Sequence, residues 1–496
     1  MHWKKLAIVL FLCSVASARQ NGIELTLESA VDIGMSRSYR IKGLELEIEK
    51  NVAWLESQRA GLKSKVFMNM QSPNLNRLSD YKWNSTLKRD EIIRQDTELW
   101  QADLSVRQPV ILFGYPTNGY ISLNYKVYQY NQRENDLRST NYYNRLYMRF
   151  EQPFFMTNTL KNSLERAELN LEERQLRYVH DRVNIMEGLS SDYYSIFRLA
   201  YLNQVYNRQL ASLQRAAESA AGHVQRDSTR RIEQINAELE LANVRENAME
   251  NHSNLRRELA NFTLRLRLNP EDSLFINPVM LIHPVTVDVN QALEYGYRLG
   301  PDIRIQEIYR RMSELDVQDQ KGFNSFYVRL EMTYGLEQQD EMFRGMWDQY
   351  DNSNSVAVNA YIPIWDWNQR KLRIQAEMTD VRQRELNIEE RKENIRKNVV
   401  NSVTNLNEYQ SRALSMQQSV LMAEQLTAMS FVTYDRGEST MQDLLQVVER
   451  QKDTEIRFLD SYLGYRRSLL NLMAQTFYDY ENRLSLVEEF KLKKTD

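Results

Sequence analysis

Ten residues near the start of the chain return in altered form 262 positions later. Leu25-Thr26-Leu27-Glu28-Ser29-Ala30-Val31-Asp32-Ile33-Gly34 is echoed by Val287-Asp288-Val289-Asn290-Gln291-Ala292-Leu293-Glu294-Tyr295-Gly296. Further on, Gln152-Pro153-Phe154-Phe155 is matched by Ile362-Pro363-Ile364-Trp365 at an offset of 210, and Arg256–Asn261 by Arg466–Asn471 at the same offset. Leu169–Arg174 and Leu386–Arg391 match at 217, one heptad away, a slip that keeps the same face of a long helix. A repeat on this scale requires two halves built to one plan. The fall in offset places 52 extra residues in the first half, around 80–135. The expected organisation is therefore a leader over 1–18, a first repeat over 19–275 and a second over 276–496.

Each half reads as helix, strands, helix, helix. The opening helices are expected at about 27–58 and 289–320, and the long ones at 159–225, 229–267, 368–432 and 440–485. Proline is absent between Pro153 and Pro270 and after Pro363, which leaves those stretches free to run as helix. Apolar residues there recur at threes and fours, as in Leu160, Leu164, Ala167 and Leu171, the pattern of helices that pack on one another. Between the helices the period changes to two. Phe326, Val328, Leu330, Met332, Tyr334 and Leu336 alternate with Tyr327, Arg329, Glu331 and Thr333, and Leu146, Met148 and Phe150 alternate with Arg145, Tyr147 and Arg149. Strands with one aromatic and apolar face and one charged face, too few for a sandwich, fit a transmembrane barrel.

Lys4 and Lys5, the apolar run Leu6–Val15 and Ala16-Ser17-Ala18 have the layout of a secretory signal peptide. The only cysteine, Cys13, lies inside that run. Phe11 and Leu12 just before it speak against a lipoprotein site, so the exported chain is expected to carry no disulfide. The formal net charge is -3, with 64 Lys+Arg against 67 Asp+Glu, which excludes an electrostatic platform for nucleic acid. No second apolar run of about 20 residues exists, so a bundle of membrane-spanning helices is excluded as well. Five scattered histidines at 2, 180, 223, 252 and 283 offer no i, i+4 ligand pair. With no phosphate-binding loop or nucleophile elbow in the sequence, neither an enzyme, a metal nor a cofactor is expected.

The duplicated plan resembles that of the TolC-like outer-membrane efflux proteins. The resemblance rests on the Leu25–Gly34 opening and its second copy, on the Pro-aromatic strand ends at 153 and 363, and on Tyr434-Asp435-Arg436-Gly437-Glu438-Ser439-Thr440-Met441-Gln442-Asp443-Leu444-Leu445, which is similar to the family's turn between the last two helices. It implies an α+β membrane protein: a homotrimer in which each chain gives four strands to one β-barrel in outer-membrane lipid, continuous with a long periplasmic α-helical barrel. The implied function is a passive exit duct of a tripartite efflux or type I secretion system. Its implied partners are a periplasmic adaptor (membrane fusion protein) and an inner-membrane pump of RND or ABC type. A periplasmic adaptor or a structural coiled-coil protein is the competing reading, but neither explains a twofold repeat with aromatic-faced strands.

By the same resemblance, Asp443 narrows the closed pore, and Gln446 stands where a second acid is common. The competing role for Asp443 is to complement the dipole at a helix start. The resemblance also assigns adaptor docking to a tip made of Arg226, Asp227, Ser228, Arg436, Gly437, Glu438, Ser439 and Thr440. Two positions suit the turn of the first-half tip, Gly222 and Asp227. The extra segment reads as an added hairpin that joins the wall, caps it or folds into its lumen.

Overall fold

The computed structural model describes residues 23–134, 137–226, 230–269 and 274–490. The proposed leader and the tip residues Asp227 and Ser228 lie outside them. In chain order the elements are β1 (Ile23–Glu24), α1 (Leu27–Arg37), α2 (Tyr39–Gly61), β2 (Lys65–Asn84), β3 (Arg89–Leu112), β4 (Tyr115–Glu134), β5 (Leu137–Phe154), α3 (Thr159–Arg226) and α4 (Arg231–Leu266). Then come β6 (Leu274–Phe275), α5 (Val289–Arg298), α6 (Pro301–Gly322), β7 (Tyr327–Asp340), β8 (Asp351–Tyr361), α7 (Gln369–Asp435) and α8 (Met441–Thr476), followed by a short hairpin at 478–485 and α9 (Leu486–Phe490). The chain divides into two compact units, one of residues 1–43, 179–300 and 393–496 and the other of 44–178 and 301–392.

The first unit is helical, and its two openings are built alike. Thr26 accepts a hydrogen bond from the Ser29 amide at the head of α1, and Asp288 accepts one from the Gln291 amide at the head of α5. Ala30 and Ala292 are fully buried. Gly34 and Gly296 each let a long helix come close: a Cβ on Gly34 would stand 2.5 Å from Leu189 Cδ1 of α3, and one on Gly296 3.1 Å from Ile395 Cγ2 of α7. Two short strands upstream of the openings, β1 directly and β6 with eleven residues between it and Val287, pair in parallel through Ile23 with Leu274 and Glu24 with Phe275. α3 has 68 residues and α7 has 67, each about 100 Å of helix at 1.5 Å per residue. The last long helix is shorter than the sequence pattern suggests. It ends at Thr476, not near 485, because Phe477 turns left-handed at φ 55° and its amide closes on Met473 O.

The second unit carries one antiparallel meander in the order β2-β3-β4-β5-β7-β8. The first half supplies four of these strands and the second half two, six among the described residues in place of the four implied by resemblance. The difference is the β3–β4 pair, which lies within the extra segment and joins the sheet. The β3–β4 turn returns to the end of the sheet next to the helices: Asn118 Nδ2 donates to Thr157 O, and Asn118 Oδ1 accepts from the Leu160 amide at the head of α3. Cross-strand register lines up the two faces that the alternation defines. Leu104, Tyr125, Leu146 and Leu336 form one row, and Val106, Leu123, Met148 and Tyr334 the next, all on one face. Arg145 faces Glu337 on the other side, where Arg149 also reaches Glu331 and Arg329 reaches Glu151. The loop after β7 folds back over the apolar face, with Met346 buried, Trp347 against Tyr125 and Phe343 edge-on to Tyr142.

The close approach at Gly34 generates a stability prediction. Gly34→Val places a branched side chain inside the contact with Leu189 and Leu266 and should cost about 1–3 kcal/mol. Thermal unfolding followed by circular dichroism should show a lower midpoint; an unchanged midpoint would mean that α3 yields freely at this point.

Candidate functional site

The α7–α8 turn is positioned by its glycine. At Gly437 φ is 77°, a left-handed conformation that a side chain disfavours. The Gly437 amide bonds Tyr434 O at 2.8 Å and the Glu438 amide bonds Thr433 O at 3.0 Å, so the last carbonyls of α7 are satisfied as the chain leaves the helix. Three residues later α8 is capped. Thr440 Oγ1 accepts from the Asp443 amide at 3.2 Å, and the Asp443 carboxylate accepts from the Thr440 amide at 3.1 Å and from the Thr440 hydroxyl at 2.6 Å. These bonds, the hydroxyl's first, hold the Asp443 carboxyl below its ordinary range. A depressed acid of this kind contributes its stabilisation above the unfolded-state pKa and loses it as pH falls through the lower folded value.

Asp443 thus fills the capping role, and its geometry also leaves it open to solvent. Asp443 and Gln446 are both exposed and lie three residues apart on one face of α8, while Met441, Leu444 and Val448 are buried on the other. Arg436, Gly437, Glu438 and Thr440 are exposed, and Ser439 is half-buried. In the first-half tip α3 runs unbroken through Gly222 to Arg226 and α4 opens at Arg231, so the chain does not turn at Gly222.

What ties the two tips together was not readable from the sequence. Leu213, Ala216 and Ala220 of α3, Ala237 and Val244 of α4, Phe431 and Tyr434 of α7 and Met441, Leu444 and Val448 of α8 form one buried cluster. Tyr434 is its polar centre. Its ring stacks on His223 with centroids 5.1 Å apart, and its hydroxyl donates to Glu233 at 3.0 Å. Burial, with that carboxylate next, raises the Tyr434 phenol above its usual range, so it stays a donor at any physiological pH. Arg230 lies 2.7 Å from His223 Nδ1, and Asp435 accepts from Ser219 at 2.6 Å. The turn motif marks Tyr434, but nothing in the sequence pairs it with His223, 211 residues earlier and outside any motif. Among the described residues no group of three metal-ligating side chains comes together.

Neither a protein-family model nor a curated protein sequence matches this chain. Solved structures do. CusC, studied for transmembrane channel formation, matches with a TM-score of 0.64 at 11% identity over 96% of this chain and 98% of its own. CmeC, an outer membrane channel of Campylobacter jejuni, gives 0.63 at 12% identity over 94% and 88%. VceC, an outer membrane protein of Vibrio cholerae, gives 0.64 at 13% identity over 91% and 95%. The chain therefore has the TolC-like fold of these outer membrane proteins along nearly its whole length.

The tip network predicts a specific weakness. Tyr434→Phe keeps the ring on His223 and removes the donor to Glu233, at a cost of about 1–2 kcal/mol. Tyr434→Ala should lower the unfolding midpoint further, by opening a cavity in the cluster. Equal effects of the two would mean that the hydrogen bond, not the packing, carries the site.

Proposed function

We propose that this protein is the outer-membrane channel of a tripartite efflux or type I secretion system, a trimeric duct that leads from periplasm to exterior. The observation that carries the reading is the six-stranded sheet: one face apolar, the other charged, on a chain with the fold of outer membrane channels. Tyr142, with Phe343 against it, stands toward one end of β5, and Phe154 and Phe155 stand at the other. The intervening strand is about 40 Å long, or about 30 Å along the axis of a barrel tilted by about 40°, which is the thickness of a bilayer core. No described helix is long and apolar enough to cross a membrane.

Assembly from several copies is supported by what one copy leaves uncovered. Ile232, Ile235, Leu239 and Met249 follow a three-four spacing along α4 and are exposed, as are Leu421, Met422, Met429 and Val432 on α7. Exposed stripes of this kind suit neighbouring helices of other copies. In such an assembly the α7–α8 turn is the periplasmic tip. Arg436, Gly437, Glu438, Ser439 and Thr440, with Arg226, Asp227 and Ser228, form the surface for an adaptor that couples the duct to an RND or ABC pump. Asp443 then repeats around the axis as a ring of carboxylates that favours cations at the constriction, with Gln446 one turn behind.

Two experiments test this reading. Extracted in mild detergent from the outer-membrane fraction, the protein should run as a trimer that heat dissociates; a monomer, or a soluble periplasmic pool, would falsify it. In planar bilayers Asp443→Ala should raise single-channel conductance and weaken cation preference. Thr440→Ala breaks the cap and leaves the carboxylate, so it should spare ion preference. If Thr440→Ala and Asp443→Ala behave alike, Asp443 acts only as a cap.

A further inference from the structure

Two strands of the sheet, β2 and β8, have a neighbour on one side only. Their outward side chains are among the most exposed apolar groups of the unit: Met68 and Met70 at 58% and 76%, Val356 and Val358 at 69% and 66%. An open edge of this kind is not tolerated in hydrocarbon, where no water replaces the missing hydrogen bonds. Six strands are also too few to close on themselves, since the smallest membrane barrels have eight. β2 starts at the end of the sheet next to the helices and β8 finishes there, so β8 of one copy laid on β2 of another is antiparallel, like every other pair in this sheet.

We propose that three copies build one wall of eighteen strands, β8 of each on β2 of the next, around a lumen wide enough for bulky hydrophilic cargo. The proposal rests on the channel reading above and adds to it the width of the barrel and the register of its seams. The row of paired residues that starts at Lys65 passes through Arg107, Ser122, Arg149 and Thr333 and reaches Ser355, six positions before the last residue of β8, Tyr361. Six residues over five strand steps correspond to a tilt of about 40°, inside the range in which sheets close into barrels. With the helix-side ends of β8 and β2 laid side by side, Tyr361 stands opposite Lys65 of the next copy, a slope of six residues over six steps, or about 35°, still at the edge of the barrel range. Asn359 then meets Phe67 on the charged face, and Val358 meets Met68 and Val356 meets Met70 on the apolar face. Each side chain thereby stays on the side it already occupies, which a shift by one residue would reverse.

Eighteen strands at this tilt give a backbone radius of about 18 Å, against about 12 Å for twelve. The charged face that would line the lumen pairs its signs: Arg145 with Glu337, Arg149 with Glu331, Arg329 with Glu151. This section of the duct therefore selects by neither size nor net charge among polar solutes, and choice of cargo falls to the helical part and its partners.

The seam is tested in the full-length protein in outer-membrane vesicles. Residues opposite each other on neighbouring strands are within disulfide reach, so Phe67→Cys combined with Asn359→Cys should give, on oxidation, a three-chain band that survives boiling without reductant. Phe67→Cys combined with Ser353→Cys should give none. A heat-labile trimer in which no cysteine at 65, 67, 69 or 71 links to one at 355, 357, 359 or 361 would overturn the shared wall and leave the channel reading in place. A chain that stays monomeric in the membrane would overturn both. Deletion of β3 and β4, residues 89–134, leaves β2 antiparallel to β5 and should give a trimer that excludes smaller polyethylene glycols from the barrel side; an unchanged cut-off would overturn the wide lumen. If the deleted chain does not assemble, the cysteine pairs still decide.

Discussion

A strand has to hand its backbone N–H and C=O groups to its neighbours, and that obligation orders the six-stranded sheet. It explains why the extra segment arrives as two strands. A single added strand would reverse the direction of everything after it and send the chain out of the wrong end of the sheet. The pair β3 and β4 leaves β2 and β5 with the directions and faces they would have without it. The same obligation sets the side-chain pattern. Once register is fixed, alternate residues belong to the apolar or the charged face along each run between the register shifts of β2 and β3.

The helical unit obeys a different constraint, close packing of long surfaces with no covalent tie among the described residues. Its tip combines a buried polar centre with an exposed carboxylate. Tyr434, His223 and Glu233 hold α3, α4 and α7 together where the helices end. Asp443 serves the backbone of α8 and faces solvent with the same carboxylate. Nothing in the geometry forces a choice between its two roles, because a capping carboxylate keeps its charge.

Much of the fold was legible because period-two and heptad patterns are written into residues such as Leu146–Phe150 and Phe326–Leu336, and because proline is missing where α3, α4, α7 and α8 run. What escaped was decided by local backbone chemistry or by distant pairing. β2 carries Ser72 and Pro73 in its middle, where the structure shows a register shift between Gln71 and Asn74 and the period-two pattern breaks. Gly222 looked like a helix terminator, yet α3 continues through it. Phe477 ends α8 in a conformation that glycine usually signals. At the candidate site Asp443 was legible through its turn motif and its place at a helix start, both local in sequence, and the structure adds the capping box with Thr440. The Tyr434 network was not, since Tyr434 on α7 meets His223 and Glu233 from about 200 residues earlier in the chain.

The meander contains one long jump. β2 to β5 are joined by turns of a few residues, but β5 pairs with β7 across the 172 residues between Phe154 and Tyr327. Hairpins form in microseconds, whereas a contact over such a separation waits on the chain between. A chain delivered from its N-terminus can therefore assemble its first four strands while the edge of β5 still lacks its partner. For that interval the half-built sheet exposes Met148 and Leu146 beside an unpaired backbone, a surface prone to mispairing. The time the chain takes to bring β7 to that edge sets how long β5 stays open to a wrong partner.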